Sequence, residues 1–370
     1  MSSTPRIALF LPSLEGGGAE RAFVELANAF VERDVCVDLV LAQETGPFVK
    51  EVAPAVRVWN LDSARWPTIV RRLVRYLRTE RPDVLMSGLD IPNVAAVVAS
   101  ALAGSLSRCV LSQRAVLGAV WRMEFPRTWR LWLGLLRSAY PRARLVICNS
   151  HAAATEVVDR CGVPAARCAV VYNPVDVDSI ERKAREPISD DWLAAGAPPL
   201  LLSVGSLTPR KDMATVIRAF AILRRSRPFN LLILGEGSER RQLERLVVEL
   251  GLEGAVRMPG FDPNPFAWMA RASVVISASR AEGCPNVIQQ ALVCGARIVA
   301  TDCPGGTAEV LEHGHWGRLV PVGDAEAMAT AVLAAADDPN GPDSRVRGRA
   351  FGPEAAVQAY LGYLLAGHAA

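Results

Sequence analysis

The feature that most constrains this chain is a rhythm. Short apolar runs ("RIALFLPSL", "CVDLVLA", "VRVWNL", "DVLMSGL", "RCVLSQR", "RLVICNS", "CAVVYNP") alternate with helix-sized segments. After a polar stretch the rhythm restarts with "LLLSVGSL", "NLLILGEG", "VRMPGF", "SVVISAS", "RIVATDC" and "GRLVPV". Strands that are apolar on both faces and separated by helices belong to parallel sheets covered on each side. The expectation is an α/β chain with two Rossmann-like, doubly wound parallel-sheet domains: residues 1–180, a linker over 181–198, and residues 199–350. The tail 351–370 has apolar residues at helical spacing and reads as a helix that can pack back on the N-terminal domain, although the spacing alone leaves either domain open. A chain of 370 residues, 51% of them hydrophobic, is long enough for two cores. Ligands of such sheets gather at the carboxyl ends of the strands, and two facing sheets make a cleft, so the site is expected there.

Composition removes several alternatives. A formal net charge of +3 is too small for a strongly basic nucleic-acid coat. The eight cysteines form no C-x-x-C pair, and several sit in apolar runs as small hydrophobes, which suits a reduced, cytoplasmic setting. The apolar stretch in "MSSTPRIALFLPSL" is too short for a signal peptide, and Val94 to Leu106 is too short to span a bilayer.

Chemistry should collect in the loops after the strands. After the first strand, "LEGGGAERAFVELANAF" offers Gly16 to Gly18 ahead of a helix, a place where backbone amides can meet a phosphate; a plain strand-to-helix turn explains the stretch equally well. In "VGSLTPRKDM", Arg210 and Lys211 stand between a strand and a helix beginning near Asp212. Only three lysines accompany 38 arginines among the 41 basic residues, so Lys211 is not local habit. Two cations beside a helix start suit a diphosphate, the alternative being a solvated turn. In "SRAEGCPNVIQQALVCGARIVATDCPGG", Glu282 precedes a helix started by Pro285. Gly283 permits close approach, and the amides of Cys284, Asn286 and Val287 with the acceptor-only Glu282 would read a hydroxyl-rich ligand such as a sugar. Gln290 lies about two turns along, near the same face. A simple helix cap and a polar residue on a core-facing helix are the plainer explanations of Glu282 and Gln290.

"AEGCPNVIQQALVCGARIVAT" resembles the E-x7-E segment of glycosyltransferase family 4, the retaining enzymes of GT-B fold. "GGAERAFVELANAF", "CNSHAA", "VVYNPVD", "VGSLTPRKD", "LILGEG" and "VRMPGF" resemble the family's other landmarks in the same order over nearly the whole chain. The resemblance implies that Gly17 and Gly18 approach the donor diphosphate, that Lys211 with Arg210 binds it, and that Glu282 with Gly283, Cys284, Pro285, Asn286 and Val287 holds the transferred sugar. It places Gly205, Ser206 and Gly235 in the same donor-binding set. Gln290 occupies the position where the family usually has a second glutamate on the nucleotide ribose. Ser206 stands where many relatives carry an arginine, and Gln113 and Arg114, acceptor-side candidates, stand where many carry a histidine. His151, His313, His315 and His368 do not fill that role and read as structural or exposed. The implied reaction is retaining transfer from a nucleotide sugar, with Arg210, Lys211 and loop amides carrying the leaving charge and no metal or other cofactor. Asp176-Val177-Asp178 is an acidic pair, read as turn and cap chemistry. "EGCPNV" resembles members that use UDP-N-acetylhexosamines.

Three rival readings share parts of this pattern. A nicotinamide oxidoreductase would need an acid about 20 residues after its glycines; Asp38 is near that spacing but inside "CVDLVLA" rather than at its end. A sugar-nucleotide epimerase of the same architecture would make product without an acceptor. A nucleic-acid binder would draw on the fifteen arginines against five acids between residues 57 and 144. That arginine excess coincides with Trp66, Tyr76, Trp121, Phe125, Trp129, Trp132 and Tyr140, and such a surface also suits an anionic bilayer. The expectation is therefore a peripheral enzyme on the cytoplasmic face of a membrane that extends a lipid-linked glycan and does not bind nucleic acid.

Overall fold

The computed structural model describes residues 4–15, 17–124, 127–338 and 341–366, apart from the side chains of Trp121 and Glu124. Gly16, Phe125 and His368, and the side chain of Trp121, lie outside that set. The chain divides into two compact units, Met1–Pro174 with Pro353–Ala370, and Val175–Gly352.

The first unit holds β1 (Arg6–Leu11), β2 (Cys36–Leu41), β3 (Arg57–Asn60), β4 (Val84–Gly88), β5 (Cys109–Gln113), β6 (Leu145–Cys148) and β7 (Cys168–Val170), all parallel in the order β3-β2-β1-β4-β5-β6-β7. The order reverses between β1 and β4, whose pairing runs from Ile7↔Val84 to Phe10↔Ser87. Helix Gly18–Val31 places Phe23, Leu26, Ala27 and Phe30 at helical spacing onto Ile7, Leu9 and Leu11, and each such side chain contributes about 1.5–3 kcal/mol by leaving water. The C-terminal helix Pro353–Leu365 adds Val357, Tyr360 and Leu364 to the same core.

Asp38, in the middle of β2, is consumed by this unit. It accepts from Arg57 Nε at 2.8 Å and Nη2 at 2.6 Å, and from the Tyr76 hydroxyl at 2.6 Å. A carboxylate so occupied cannot read a ribose, which removes the feature that the nicotinamide reading leaned on. Tyr76 and Tyr140 are fully buried and so belong to the core, not to a surface.

The second unit holds β8 (Leu200–Val204), β9 (Asn230–Leu234), β10 (Val256–Gly260), β11 (Val274–Ser277), β12 (Ile298–Thr301) and β13 (Arg318–Val320), parallel in the order β10-β9-β8-β11-β12-β13. Residues 181–198, read above as a linker, are tied to this unit. Arg257 pairs with Asp190 at 3.0 Å and Asp191 at 2.9 Å and lies 4.0 Å above the Trp192 ring, while Asn264 Nδ2 donates to the Lys183 carbonyl at 3.0 Å. The stretch is polar because it makes ion pairs with its own unit, not because it is a free tether.

Candidate functional site

The reversal of strand order between β8 and β11 brings three loops together in the second unit. The loop after β8 carries Gly205 to Asp212, the loop after β11 carries Ser279 to Pro285, and the loop after β12 carries Asp302 to Gly306. Their backbones are bonded to one another. Arg280 N donates to the Arg210 carbonyl at 2.8 Å, Glu282 N to the Pro304 carbonyl at 3.1 Å, and Gly306 N to the Gly283 carbonyl at 2.9 Å. Glu282 and Gly305 thereby form an isolated parallel β-bridge. Asp212 adopts a left-handed conformation, caps the helix Met213–Leu223 through Thr215 N, and pairs with Arg280 at 2.8 Å.

At the centre is Glu282, only 6% exposed. Its Oε1 accepts from Ser279 Oγ at 2.7 Å and from Lys211 Nζ; its Oε2 accepts from Arg210 Nη1 at 3.2 Å. Burial alone would raise its pKa, but the charges of Lys211 and Arg210 and the hydrogen bonds from Lys211 and Ser279 outweigh that and hold it below the usual carboxylate range. One buried anion thus carries two cations, leaving the cluster net positive. Helix Asn286–Val293 begins four residues later, after Pro285. The arrangement can receive an anion with its cations and hydroxyl groups with its carboxylate.

Not every expected residue joins the cluster. Gly235 abuts Gly205, where an added Cβ would stand 1.9 Å from the Gly205 carbonyl oxygen, so the glycines let the ends of β8 and β9 touch. Ser206 is exposed, its Oγ 3.4 Å from Thr208 Oγ1. Cys284 and Pro285 are buried and Asn286 and Val287 half-buried; Gln290 is half-buried between the buried Gln289 and Ala291. Gly17, Gly18, Gln113 and Arg114 belong to the first unit. Gln113 is fully buried, with Nε2 donating to Asp90 at 2.9 Å and to the Ala115 carbonyl at 2.7 Å, and Oε1 accepting from Tyr140 at 2.6 Å. Its amide is committed inside the unit, so the structure corrects the expectation that it faces an acceptor.

Sequence reasoning missed Ser279 and Gly305. Ser279 could have been found as the hydroxyl three residues before Glu282, but Gly305 acts through a bridge between loops 23 residues apart, which no local pattern announces. Asp176 caps helix Val177–Ala184 through Ser179 N at 3.0 Å, and among the described residues no three His, Cys, Asp or Glu side chains come together as metal ligands would. A cavity of about 460 Å³ lies at the opposite, amino edge of the second sheet, where Ser273, Arg297 and Gly317 precede β11, β12 and β13; it shares no residue with the Glu282 cluster.

The two parallel-sheet units have the GT-B fold, and the structural neighbours agree. The Anabaena HepE crystal structure with UDP and glucose superposes with a TM-score of 0.81 at 23% identity, covering 97% of this chain and 99% of that one. Sucrose-phosphate synthase from Thermosynechococcus elongatus gives a TM-score of 0.80 at 21% identity, covering 98% and 100%. The chain belongs to glycosyltransferase family 4: the "Glycosyltransferase Family 4" profile matches residues 16–179 and the "Glycosyl transferases group 1" profile residues 198–338. Among curated relatives, N-acetylgalactosamine-N,N'-diacetylbacillosaminyl-diphospho-undecaprenol 4-alpha-N-acetylgalactosaminyltransferase of Campylobacter jejuni is 28% identical over 344 residues, 90% of either chain. The lipopolysaccharide core biosynthesis glycosyltransferase LpsE of Rhizobium meliloti is 28% identical over 359 residues, 93% of this chain and 95% of that one. The chain is an enzyme that transfers a sugar.

Proposed function

We propose that this glycosyltransferase takes its sugar from a UDP-linked donor, with retention at the anomeric carbon, and adds it to a lipid-linked glycan in the assembly of a surface polysaccharide or lipopolysaccharide. The observation that carries the reading is the buried Glu282 held between Lys211 and Arg210 at the strand ends of the second unit. In this reading the two cations take the donor diphosphate and stabilise the negative charge that grows on it as the sugar–phosphate bond breaks, without a metal ion. Glu282 and the amides after it orient the sugar hydroxyls, and Gln290 meets the ribose. The donor class is supported by HepE, solved with UDP, and the acceptor class by the Campylobacter jejuni relative, which is named for a diphospho-undecaprenol substrate. The test is transfer of labelled sugar from UDP-N-acetylhexosamines to a polyprenyl-diphosphate-linked saccharide in the presence of EDTA. Transfer with the anomeric configuration kept is expected. Product that forms without acceptor would point to an epimerase, and abolition by EDTA would contradict the metal-free assignment.

Gln290→Glu is expected to be tolerated and to lower donor KM, because it restores an acceptor-only group for ribose hydroxyls. A large loss of kcat would show that Gln290 works through its N–H₂ group and remove the ribose assignment.

A membrane surface is part of the same proposal. No helix among the described residues is long and apolar enough to cross a bilayer. Helix Asp90–Ala103 exposes Leu102 (58%) and Val98, and helix Trp129–Ala139, which packs against it, exposes Leu131 (68%) and Leu135. Arg122 and Arg130 flank the Trp129 ring at 5.1 and 5.4 Å. Arg71, Arg75, Arg127 and Arg130 are exposed, whereas Arg72 is spent on the Leu61 and Asp62 carbonyls. Liposome flotation is expected to need anionic lipid, to fall with salt, and to weaken when Arg71 with Arg75, or Arg127 with Arg130, becomes Glu. Indifference to lipid charge, combined with full activity on a short water-soluble acceptor, would point instead to a soluble substrate.

A further inference from the structure

Glu282 is held by three side chains, and the reaction asks different things of them. Among the described residues its donors are Lys211 and Ser279 on Oε1 and Arg210 on Oε2, of which Ser279 alone is neutral. Lys211 and Arg210 have a second task. A diphosphate drawn in by them takes up N–H groups and charge that the cluster otherwise spends on Glu282, and it brings negative charge of its own toward a buried carboxylate. Ser279 carries no charge to divert. A hydroxyl has one proton to donate, and Ser279 places it on Oε1 at 2.7 Å.

The serine is itself fixed. Ser279 is buried two residues beyond the end of β11, and its carbonyl oxygen accepts from the Thr301 hydroxyl at 2.5 Å. Thr301 is the last residue of β12 and is buried as well. Hydroxyls at that depth are costly unless they are hydrogen-bonded, and these two donate in sequence, Thr301 to the backbone of Ser279 and Ser279 to Glu282. The end of one strand thereby braces the turn that the neighbouring strand delivers to the site.

We propose that Ser279, braced by Thr301, is the positioning residue that keeps the Glu282 carboxylate in register on the sugar while Lys211 and Arg210 serve the diphosphate. The inference rests on the donor reading above and adds the residue on which the hold on the sugar depends.

The test compares Ser279→Ala, Ser279→Thr and Thr301→Val in the full chain. Ser279→Ala is expected to lower kcat with UDP-N-acetylhexosamine donors about tenfold or more, the loss typical of a hydrogen bond to a charged group. UDP, which has no sugar for Glu282 to hold, should bind with unchanged Kd. Because Glu282 must be ionised to accept, the acid limb of kcat should also move to higher pH in Ser279→Ala, move less in Thr301→Val, and stay in place in Ser279→Thr, which keeps the hydroxyl. The charged and titratable groups that act on Glu282 are Lys211 and Arg210 from the loop after β8 and Cys303 from the loop after β12. Burial, with the Glu282 charge adding to it, pushes the Cys303 thiol up, so it stays neutral over that limb. If Ser279→Ala does not fold, Thr301→Val decides. A lower melting temperature with kcat and the acid limb unmoved would make Ser279 a packing residue and overturn the inference. UDP binding weakened as much as kcat would overturn it too, by placing the effect on the phosphate loops. UDP that fails to bind the unaltered chain would sink the donor reading instead. The hold of Ser279 on Glu282 is then read from ligand-free acid unfolding, where the loss of Glu282's stability should be complete at higher pH in Ser279→Ala, and an unmoved profile would refute that hold.

Discussion

Replacing Lys211 by Ala is expected to lower turnover by about 10² to 10³, the usual cost of deleting one group that stabilises transition-state charge. The fold should survive, because Lys211 sits in the loop after β8 with its backbone N held by the Thr208 carbonyl at 3.0 Å, an interaction the substitution leaves in place. A second consequence is a change in acid stability. In the intact cluster the Glu282 pKa is depressed, so its contribution to stability is fully present above the ordinary carboxylate range and is lost as pH falls through the depressed value. Without Lys211, burial has only Arg210 and Ser279 against it, and the folded pKa rises. The stability that Glu282 loses on acidification should then be smaller and its loss complete at higher pH. Thermal unfolding followed from pH 7 to pH 3, with steady-state kinetics at pH 7, measures both. Near-normal turnover in folded Lys211→Ala would remove its phosphate role.

Gly305→Ala is expected to be as damaging although Gly305 touches no ligand in the proposed reaction. Its φ is +127°, and an added Cβ would stand 1.5 Å from the Glu282 carbonyl oxygen. Backbone strain alone costs on the order of 1–3 kcal/mol, and the overlap cannot be relieved without parting the two loops. Parting them breaks the bonds from Glu282 N to Pro304 and from Gly306 N to Gly283, and with them the placement of the carboxylate between Lys211 and Arg210. Activity should fall together with the melting temperature. Gly254→Ala is the matched control: no atom lies within 4 Å of its Cβ position, and a change within about 0.5 kcal/mol is expected. A Gly305→Ala protein with unchanged stability and turnover would mean that the bridge does not hold Glu282 in place.

The contrast between these two substitutions shows which parts of the site were legible in the sequence. Lys211, Arg210 and Glu282 announce themselves by residue type at strand ends, because parallel sheets deliver ligand-facing groups there whatever the details of packing. The strands were equally legible, since β1, β8 and their neighbours are apolar on both faces. What escaped was non-local. Gly305 matters only through a loop that approaches it in space. Gln113 looks ligand-facing until Tyr140, 27 residues away, takes its carbonyl oxygen. Tyr76 counts as a surface aromatic until Asp38 is seen to accept its hydroxyl inside the core. Residues 181–198 look like a tether because their partners, Arg257 and Asn264, are some 70 to 80 residues further along.

Binding of a nucleotide diphosphate sugar by the Glu282, Lys211 and Arg210 cluster has a direct thermal signature. Thermal unfolding of the full chain with UDP-, GDP- and ADP-sugars tests it most directly, because a ligand that binds only the folded state stabilises it by about 2.7 kcal/mol at a hundred times its Kd. The expected result is a saturable rise in melting temperature with UDP-sugars, reduced or lost in Lys211→Ala. No rise with any of the three at millimolar concentration, in protein that unfolds cooperatively, would mean that the cluster does not bind such a donor.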